Sequence, residues 1–376
     1  MAETQKPKLF FLYFTVFVNI AGFSMIIPLL PFYAKAFQAT SFDVGLLVAS
    51  HALASFITAP FIGGISDRVG RRPVMFIGIL FSSFALLWMG LAQSLSALFA
   101  ARILHGIISG AVLPTARAYM GDVTDKEHRV AGMGKVGAAL AAGQLIGPSI
   151  SSLLIGIGGL HLPFFAAALV CILNACFVLL FLPESLRQKS LKITVKNRLR
   201  DLTRLLSHLQ GKSGLIFTIL FLWAFALSNL QVSIPLFASD EFNLQPEYVG
   251  YFFTALAVIS VIVQGYLLPK IVALFGEKKT ILLGLFAMGV GMIIVPFVPS
   301  LWFLGFSYVL IGFGSALNRP TAEGVISRNS DVGQGSTMGV AQSFESLGRV
   351  IGPLLGGGIY LYSHQLPFLF IAFLLF

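Results

Sequence analysis

Long apolar runs separated by short polar turns dominate this chain. An α-helix needs about 20 apolar residues to cross the hydrocarbon core. Runs of that kind lie near 9–35, 43–65, 73–93, 96–119, 131–157, 161–183, 213–237, 247–272, 279–298, 301–324 and 335–362. A twelfth begins at Leu366 and stops at Phe376, too short to span, so the last helix is expected to be truncated or only partly present. A membrane β-barrel would instead show short segments of alternating polarity. The first run follows Lys6 and Lys8 and continues to about Ala36 without a prompt small-residue cleavage site, so it reads as a span and not as a signal peptide. The pattern predicts an all-α membrane protein.

Composition strengthens this reading. The chain is 57% hydrophobic and 11% charged, whereas soluble domains carry about 25% charged residues. Too little charge remains to cover a soluble surface, which excludes an ordinary soluble enzyme, a disordered chain and a disulfide scaffold. Cys171 and Cys176 share one apolar run, so no disulfide framework is expected. No metal-ligand cluster, nucleotide loop or nucleophile–base pair is legible, so neither catalysis nor a metal or cofactor is expected.

The net charge of +10 falls on alternate loops. One set holds Lys6 and Lys8; Arg68, Arg71 and Arg72; Lys126 and Arg129; Arg187 to Lys212; Lys270, Lys278 and Lys279; and Arg328. The other set has Lys35 as its basic residue, with Asp43, Asp240, Glu241 and Glu247. Basic loops stay on the cytoplasmic side, so the N-terminus is expected inside. The positive charge is thereby assigned to topology and not to nucleic acid.

The chain also repeats itself. Ile146-Gly147-Pro148 recurs as Ile351-Gly352-Pro353, and Val44-Gly45 as Val249-Gly250, both at a shift of 205; Gly106 and Pro114 recur as Gly312 and Pro320 at 206. Gly70-Arg71-Arg72 is echoed by Gly276-Glu277-Lys278-Lys279. A constant shift implies a duplicated six-span unit, with bundles at 1–183 and 213–376 joined by a basic cytoplasmic linker at 184–212. The linker is expected to carry an amphipathic helix lying on anionic lipid, or else a site for an acidic partner. Six is even, so the copies share one topology and a pseudo-twofold axis along the membrane normal, which puts a substrate site between them near the midplane.

Here the motifs resemble a family. The loop Gly63-Gly64-Ile65-Ser66-Asp67-Arg68-Val69-Gly70-Arg71-Arg72 is similar to the loop 2–3 signature of the major facilitator superfamily. Arg102-Ile103-Leu104-His105-Gly106 with Gly110 resembles its fourth-helix motif, and Gly143-Gln144-Leu145-Ile146-Gly147-Pro148 its fifth-helix antiporter motif. Gly22 to Pro31 resembles the first helix of its twelve-span drug:proton antiporters. The resemblance implies the major facilitator fold, no cofactor, and efflux of a small lipophilic or drug-like solute in exchange for protons. It implies a bacterial inner-membrane protein, here expected as a monomer in contact with lipid. A facilitator or symporter of a metabolite, or a lipid flippase, is the alternative; a non-transporting membrane sensor stands behind both.

The same motifs nominate sites. The resemblance implies a conformational latch at the cytoplasmic side from Gly63, Asp67, Arg68, Gly70, Arg71 and Arg72, with Asp122 and Arg129 as further members. The second copy lacks an acid at the Asp67 position, so the latch is expected to be asymmetric. Gly143 and Gly147 before Pro148, and Gly348 and Gly352 before Pro353, are spaced four apart, as close helix packing requires. Ser151-Ser152 stands where the family has two glycines. Polar groups at membrane depth mark pathways, because each is unfavourable by several kcal/mol unless paired or wetted. Asn19, His51, Arg102, His105, Gln144, Glu345 and Arg349 are therefore the candidates for substrate and proton coupling. Glu345 and Arg349 share a face at i,i+4. Similar drug antiporters often carry an acid where Asn19 stands, which leaves Glu345 as the expected proton carrier and Glu323, beside Arg319, as its reserve.

Overall fold

The computed structural model describes residues 6–186, 212–328 and 334–376. Among them every regular element is helical and no strand occurs. Helices satisfy their own backbone polar groups, the condition for crossing lipid. In chain order they are α1 Lys6–Ile26, α2 Leu30–Lys35, α3 Ser41–Val69, α4 Arg71–Gly90, α5 Leu95–Ser109, α6 Val112–Val123 and α7 Lys126–Gly158. There follow α8 Leu162–Phe181, α9 Lys212–Phe242, α10 Pro246–Ile262, α11 Leu268–Ile294, α12 Leu301–Arg328, α13 Gln334–Tyr360 and α14 Leu366–Leu375. The expected linker helix lies, from residue 187 to 211, outside the described residues.

Several expected spans are interrupted where the sequence carries a breaker. The first bends through a 3-10 turn at Ile27–Leu29, which contains Pro28 and runs into Pro31. Proline lacks the N–H that the helical ladder needs. The fourth divides between Ser109 and Val112. There Gly110 lies so close to Ser55 that a Cβ would sit 3.1 Å from its carbonyl oxygen. The eighth and ninth form one continuous apolar stretch, Pro246–Phe297, that turns at Gly276. Gly276 has φ +74° and Gly70, at the matching place in the first copy, φ +120°. Both values suit glycine because L side chains clash there.

Among the described residues nine stretches are long and apolar enough to span a membrane. α13 is not one of them, because Gln342, Glu345 and Arg349 occupy its middle.

The chain divides into two compact units, Met1–Phe37 with Ser50–Thr194, and Gln38–Ala49 with Val195–Phe376. In the first, α1 packs on α7 and α8, and α4 on α8 and α5. In the second, α9 packs on α13 and α11 on α12 and α14. The sequence repeat thus reappears as a repeat of neighbours. Its seams match atom by atom. Ser24 donates to the Gly143 carbonyl at 2.9 Å, and Ser228 donates to the Gly348 carbonyl at 3.1 Å. A Cβ on Gly143 would lie 2.7 Å from the Phe17 oxygen, and one on Gly348 2.5 Å from the Phe221 oxygen. Small residues allow this approach, and dispersion between close backbones holds it, since lipid offers helices no hydrophobic drive to associate. The second unit also takes in the first turns of α3, where Gly45 meets the Pro353 carbonyl and Gly357 meets that of Ser41.

Candidate functional site: two polar clusters and a charged helix head

The head of α4 gathers the loop motif. Gly70 at its left-handed φ turns the chain so that Arg71 begins a new helix and points its side chain inward. Arg71 is buried. Its guanidinium meets Asp67 at 2.5 Å, Asp122 at 3.0 Å through Nε, and the Ser66 hydroxyl at 2.6 Å. One cation thus ties the end of α3 and the end of α6 to the start of α4. Arg72 donates to the Leu179 carbonyl. Arg68 is exposed at the end of α3. Gly63 has open space around it, so the close approach in this motif is made at Gly70. The side chain of Arg129 lies outside the described residues.

Sequence reading missed Glu184. Its Oε1 accepts from the backbone N–H of Arg71 at 2.9 Å and its Oε2 from that of Arg72 at 3.1 Å. The same carboxylate accepts from the N–H groups of Ser185 and Leu186. It thereby caps the unpaired N–H groups of α4 and meets the positive end of the helix dipole. Ser185 donates to Asp122 at 3.0 Å, and Tyr119 to the Pro183 carbonyl at 2.8 Å. The signal was present: an acid directly follows the last apolar residues of the sixth span, at the end where the arginines sit.

A second cluster lies inside the first unit. Phe23 of α1, His51 of α3 and His105 of α5 bring three rings together, with centroids 5.0, 5.1 and 5.8 Å apart. The Arg102 guanidinium lies 5.7 Å from the Phe23 centroid. His51 Nε2 is 3.0 Å from the Ser109 hydroxyl. Arg102 and His105 are each only 2% exposed, whereas His51 and Phe23 are half-buried. Asn19 is half-buried and Gln144 exposed, and no hydrogen bond among the described residues joins either to the ring cluster.

The third cluster is in the second unit. Glu345 of α13, 3% exposed in its side chain, lies between two arginines. Arg319 of α12 reaches its Oε1 at 3.2 Å, and Arg349, one turn along α13, its Oε2 at 3.4 Å. Arg319 also pairs with Glu323 at 3.1 Å. The Trp223 ring lies under the Arg319 guanidinium at 5.1 Å, and the indole N–H donates to Ser315 at 2.9 Å. The two pairs read separately from the sequence, Glu345 with Arg349 and Glu323 with Arg319, thus form one network with Arg319 at its centre. The spacing along each helix indicated the pairs; nothing in either helix alone indicated the bridge. Phe225 of α9 is buried and packs on Phe221 and Phe370.

The sequence matches the family model of the Major Facilitator Superfamily over residues 12–274 and again over 228–376. The chain belongs to the Major Facilitator Superfamily. It is similar to the multidrug resistance protein 2 of Bacillus subtilis (strain 168), 30% identical, over 99% of this chain and 93% of that protein. It is also similar to the quinolone resistance protein NorA of Staphylococcus aureus, 26% identical, over 95% of this chain and 90% of that one. Among solved structures it resembles a POT family transporter in complex with 5-aminolevulinic acid, with a TM-score of 0.80 at 16% identity, over 98% and 93% of the two chains. A bacterial homolog of the human lysosomal transporter Spinster gives 0.78 at 17% identity, over 96% and 84%. The superfamily match and these folds make the protein an integral membrane transporter, and its partners in that role are small molecules.

Proposed function

We propose that this transporter exports small lipophilic, drug-like solutes across the bacterial inner membrane in exchange for protons. Its relatives named for multidrug and quinolone resistance support the efflux reading. The observation that carries the proton is Glu345, a carboxyl 3% exposed and shared by two guanidinium groups on two helices. When ionised it holds Arg319 of α12 and Arg349 of α13. When protonated it loses that charge, Arg319 keeps Glu323, and the tie between the helices weakens. A proton that binds from one side and leaves to the other would thereby drive α12 and α13 between two packings. Entry of one proton is worth about 2.3 kcal/mol per 100 mV, comparable with a two-state gap of a few kcal/mol.

In this reading the bundles 1–183 and 213–376 are related by a pseudo-twofold axis, and the basic segment 184–212 links them on the cytoplasmic side, where the N-terminus also lies. The protein works as a monomer among lipids, by alternating access. Arg71 with Asp67 and Asp122 latches the cytoplasmic end, with Arg68, Arg72 and Arg129 in support. Gly143, Gly147, Pro148, Gly348, Gly352 and Pro353 set the helix seams. Asn19, His51, Arg102, His105 and Gln144 belong to the solute path.

The test is flux in proteoliposomes under an imposed pH gradient, with an amphiphilic fluorescent dye as solute. The parent should accumulate or expel dye with the gradient, and Glu345→Gln should lose that response while still exchanging dye downhill. An unchanged response in Glu345→Gln removes that residue from the mechanism. A parent whose flux ignores the gradient is a facilitator.

A further inference from the structure

Arg319 in the second unit is neutralised, as is Arg71 in the first; Arg102 in the first is not. Arg319 has two carboxylates within 3.2 Å. Arg102 is 2% exposed, and its Nε and Nη1 have no hydrogen-bond partner among the described residues. His105 beside it is equally buried, and its Nδ1 is likewise unpartnered. No ion pair among the described residues includes Arg102. A buried guanidinium is tolerated when something opposite in charge, or a full set of acceptors, faces it. The groups beside it are a phenyl ring and two imidazoles, from Phe23, His51 and His105.

We propose that Arg102 and His105 form an anion subsite that takes the carboxylate of an aromatic acid. The proposal rests on the efflux reading for the solute's place in transport, and it narrows that solute to amphiphiles with a carboxylate or an equivalent planar anion. Two chemistries converge at the cluster. Arg102 presents two free N–H directions, and guanidinium and carboxylate match as planar forks. The rings of Phe23 and His51 stack at 5.0 Å and 25°, and both are half-buried, so they are the members an incoming aromatic body meets first. An arene lying against them would carry its carboxylate toward the guanidinium behind Phe23, and the His105 Nδ1, where it bears the proton, would donate to the second oxygen. The bound acid then supplies the charge that the fold omits. A neutral or cationic amphiphile would gain the ring contact and leave Arg102 unmatched.

The experiment is equilibrium binding to the purified full chain in nanodiscs, with 2-naphthoate, 2-naphthamide and 2-naphthylmethylammonium as probes. The parent should bind naphthoate at least about tenfold more tightly than naphthamide, a difference of about 1.4 kcal/mol. Arg102→Gln should bring that ratio to about one while naphthamide affinity stays within about twofold, which also reports that the variant is folded. Arg102→Lys should keep a preference for the acid, reduced because an ammonium lacks the fork. Equal binding of acid and amide by the parent overturns the proposal, and so does a ratio that survives Arg102→Gln. Should Arg102→Gln not fold, the parent ratio together with Arg102→Lys decides in the same way. Binding does not depend on transport. A preference for naphthoate in a protein that shows no flux would therefore defeat the efflux reading and keep the anion subsite, and gradient-driven dye flux without that preference would do the reverse.

Discussion

Nε of Arg71 lies 3.0 Å from Oδ2 of Asp122, joining the first residue of α4 to the last turn of α6. The two residues are 51 positions apart, and the arginine is nearly enclosed while the aspartate side chain remains 26% accessible. Removing one partner leaves a largely buried charge facing an amide. Asp122→Asn should therefore lower stability by about 1–3 kcal/mol. It should also slow turnover by about tenfold, equivalent to about 1.4 kcal/mol on the barrier. Thermal unfolding and dye efflux on the same preparation check both. Full turnover with lowered stability would make the pair a structural brace and not a latch.

Glu184 and Gly70 act on the same helix head. A Cβ on Gly70 would fall against the Glu184 carboxylate, at a φ of +120° that L residues rarely adopt. Gly70→Ala should destabilise by about 1–3 kcal/mol from the backbone conformation alone. Glu184→Ala strands the N–H groups of Arg71 and Arg72 and should lose about 1–2 kcal/mol, typical of a lost helix cap. Glu184→Gln keeps the acceptor oxygen and should recover part of that loss. Hydrogen exchange at the amides of residues 71 and 72 would locate the effect; unaltered protection there in Glu184→Ala would refute the cap.

The glycine seams make a graded prediction. Gly147 faces the Ala21 carbonyl and Gly352 the Phe225 carbonyl, with a Cβ at 2.6 and 2.5 Å respectively. Valine at either position must push two helices apart, a loss of at least about 3 kcal/mol. Gly137, on the same helix as Gly147, has nothing within 4 Å of its Cβ position. Gly137→Ala should change stability by less than about 0.5 kcal/mol. Expression and monodispersity of the three variants measure this, and equal behaviour of all three would mean that the seam does not set the packing.

Arg319 can be tested by a double-mutant cycle. Arg319→Gln leaves Glu345 with Arg349 alone and should destabilise by about 2 kcal/mol, at the low end for a broken buried pair because one cation remains. Adding Glu345→Gln removes the stranded charge. The double variant should therefore be at least as stable as Arg319→Gln, with a coupling of about 1 kcal/mol or more. Additive losses would show that the 3.2 Å contact carries no energy of its own.

Much of this molecule could be read before any coordinate was known, and particular residues show why. The run from Pro246 to Phe297 contains enough apolar residues for two crossings, and the Gly276-Glu277-Lys278-Lys279 turn marks its reversal. Gly147 and Gly352 stand before prolines at a shift of 205, and their contacts repeat as well: one faces Ser24, the other Ser228. Glu345 and Arg349 share a helix face by spacing alone. Arg102 and His105 are three residues apart on α5, so their nearness was legible too. By contrast, Glu184 is separated by 113 residues from the N–H of Arg71 that it caps. The stacking of His51 on Phe23 and the bridge from Arg319 to Glu345 join residues of different helices in the same way.

The division has one physical cause. Whether a segment crosses lipid depends on its own transfer free energy, and which end stays inside depends on the charge flanking it; both belong to local stretches of chain, and the duplication preserves them. So the helical class, most of the span positions and the family were contained in the amino-acid order. Which buried charge finds a partner depends on how each helix is rotated and how high it sits against its neighbours, and many rotations suit the same apolar runs. Only the packed structure decides that Arg319 receives two carboxylates while Arg102 receives none among the described residues.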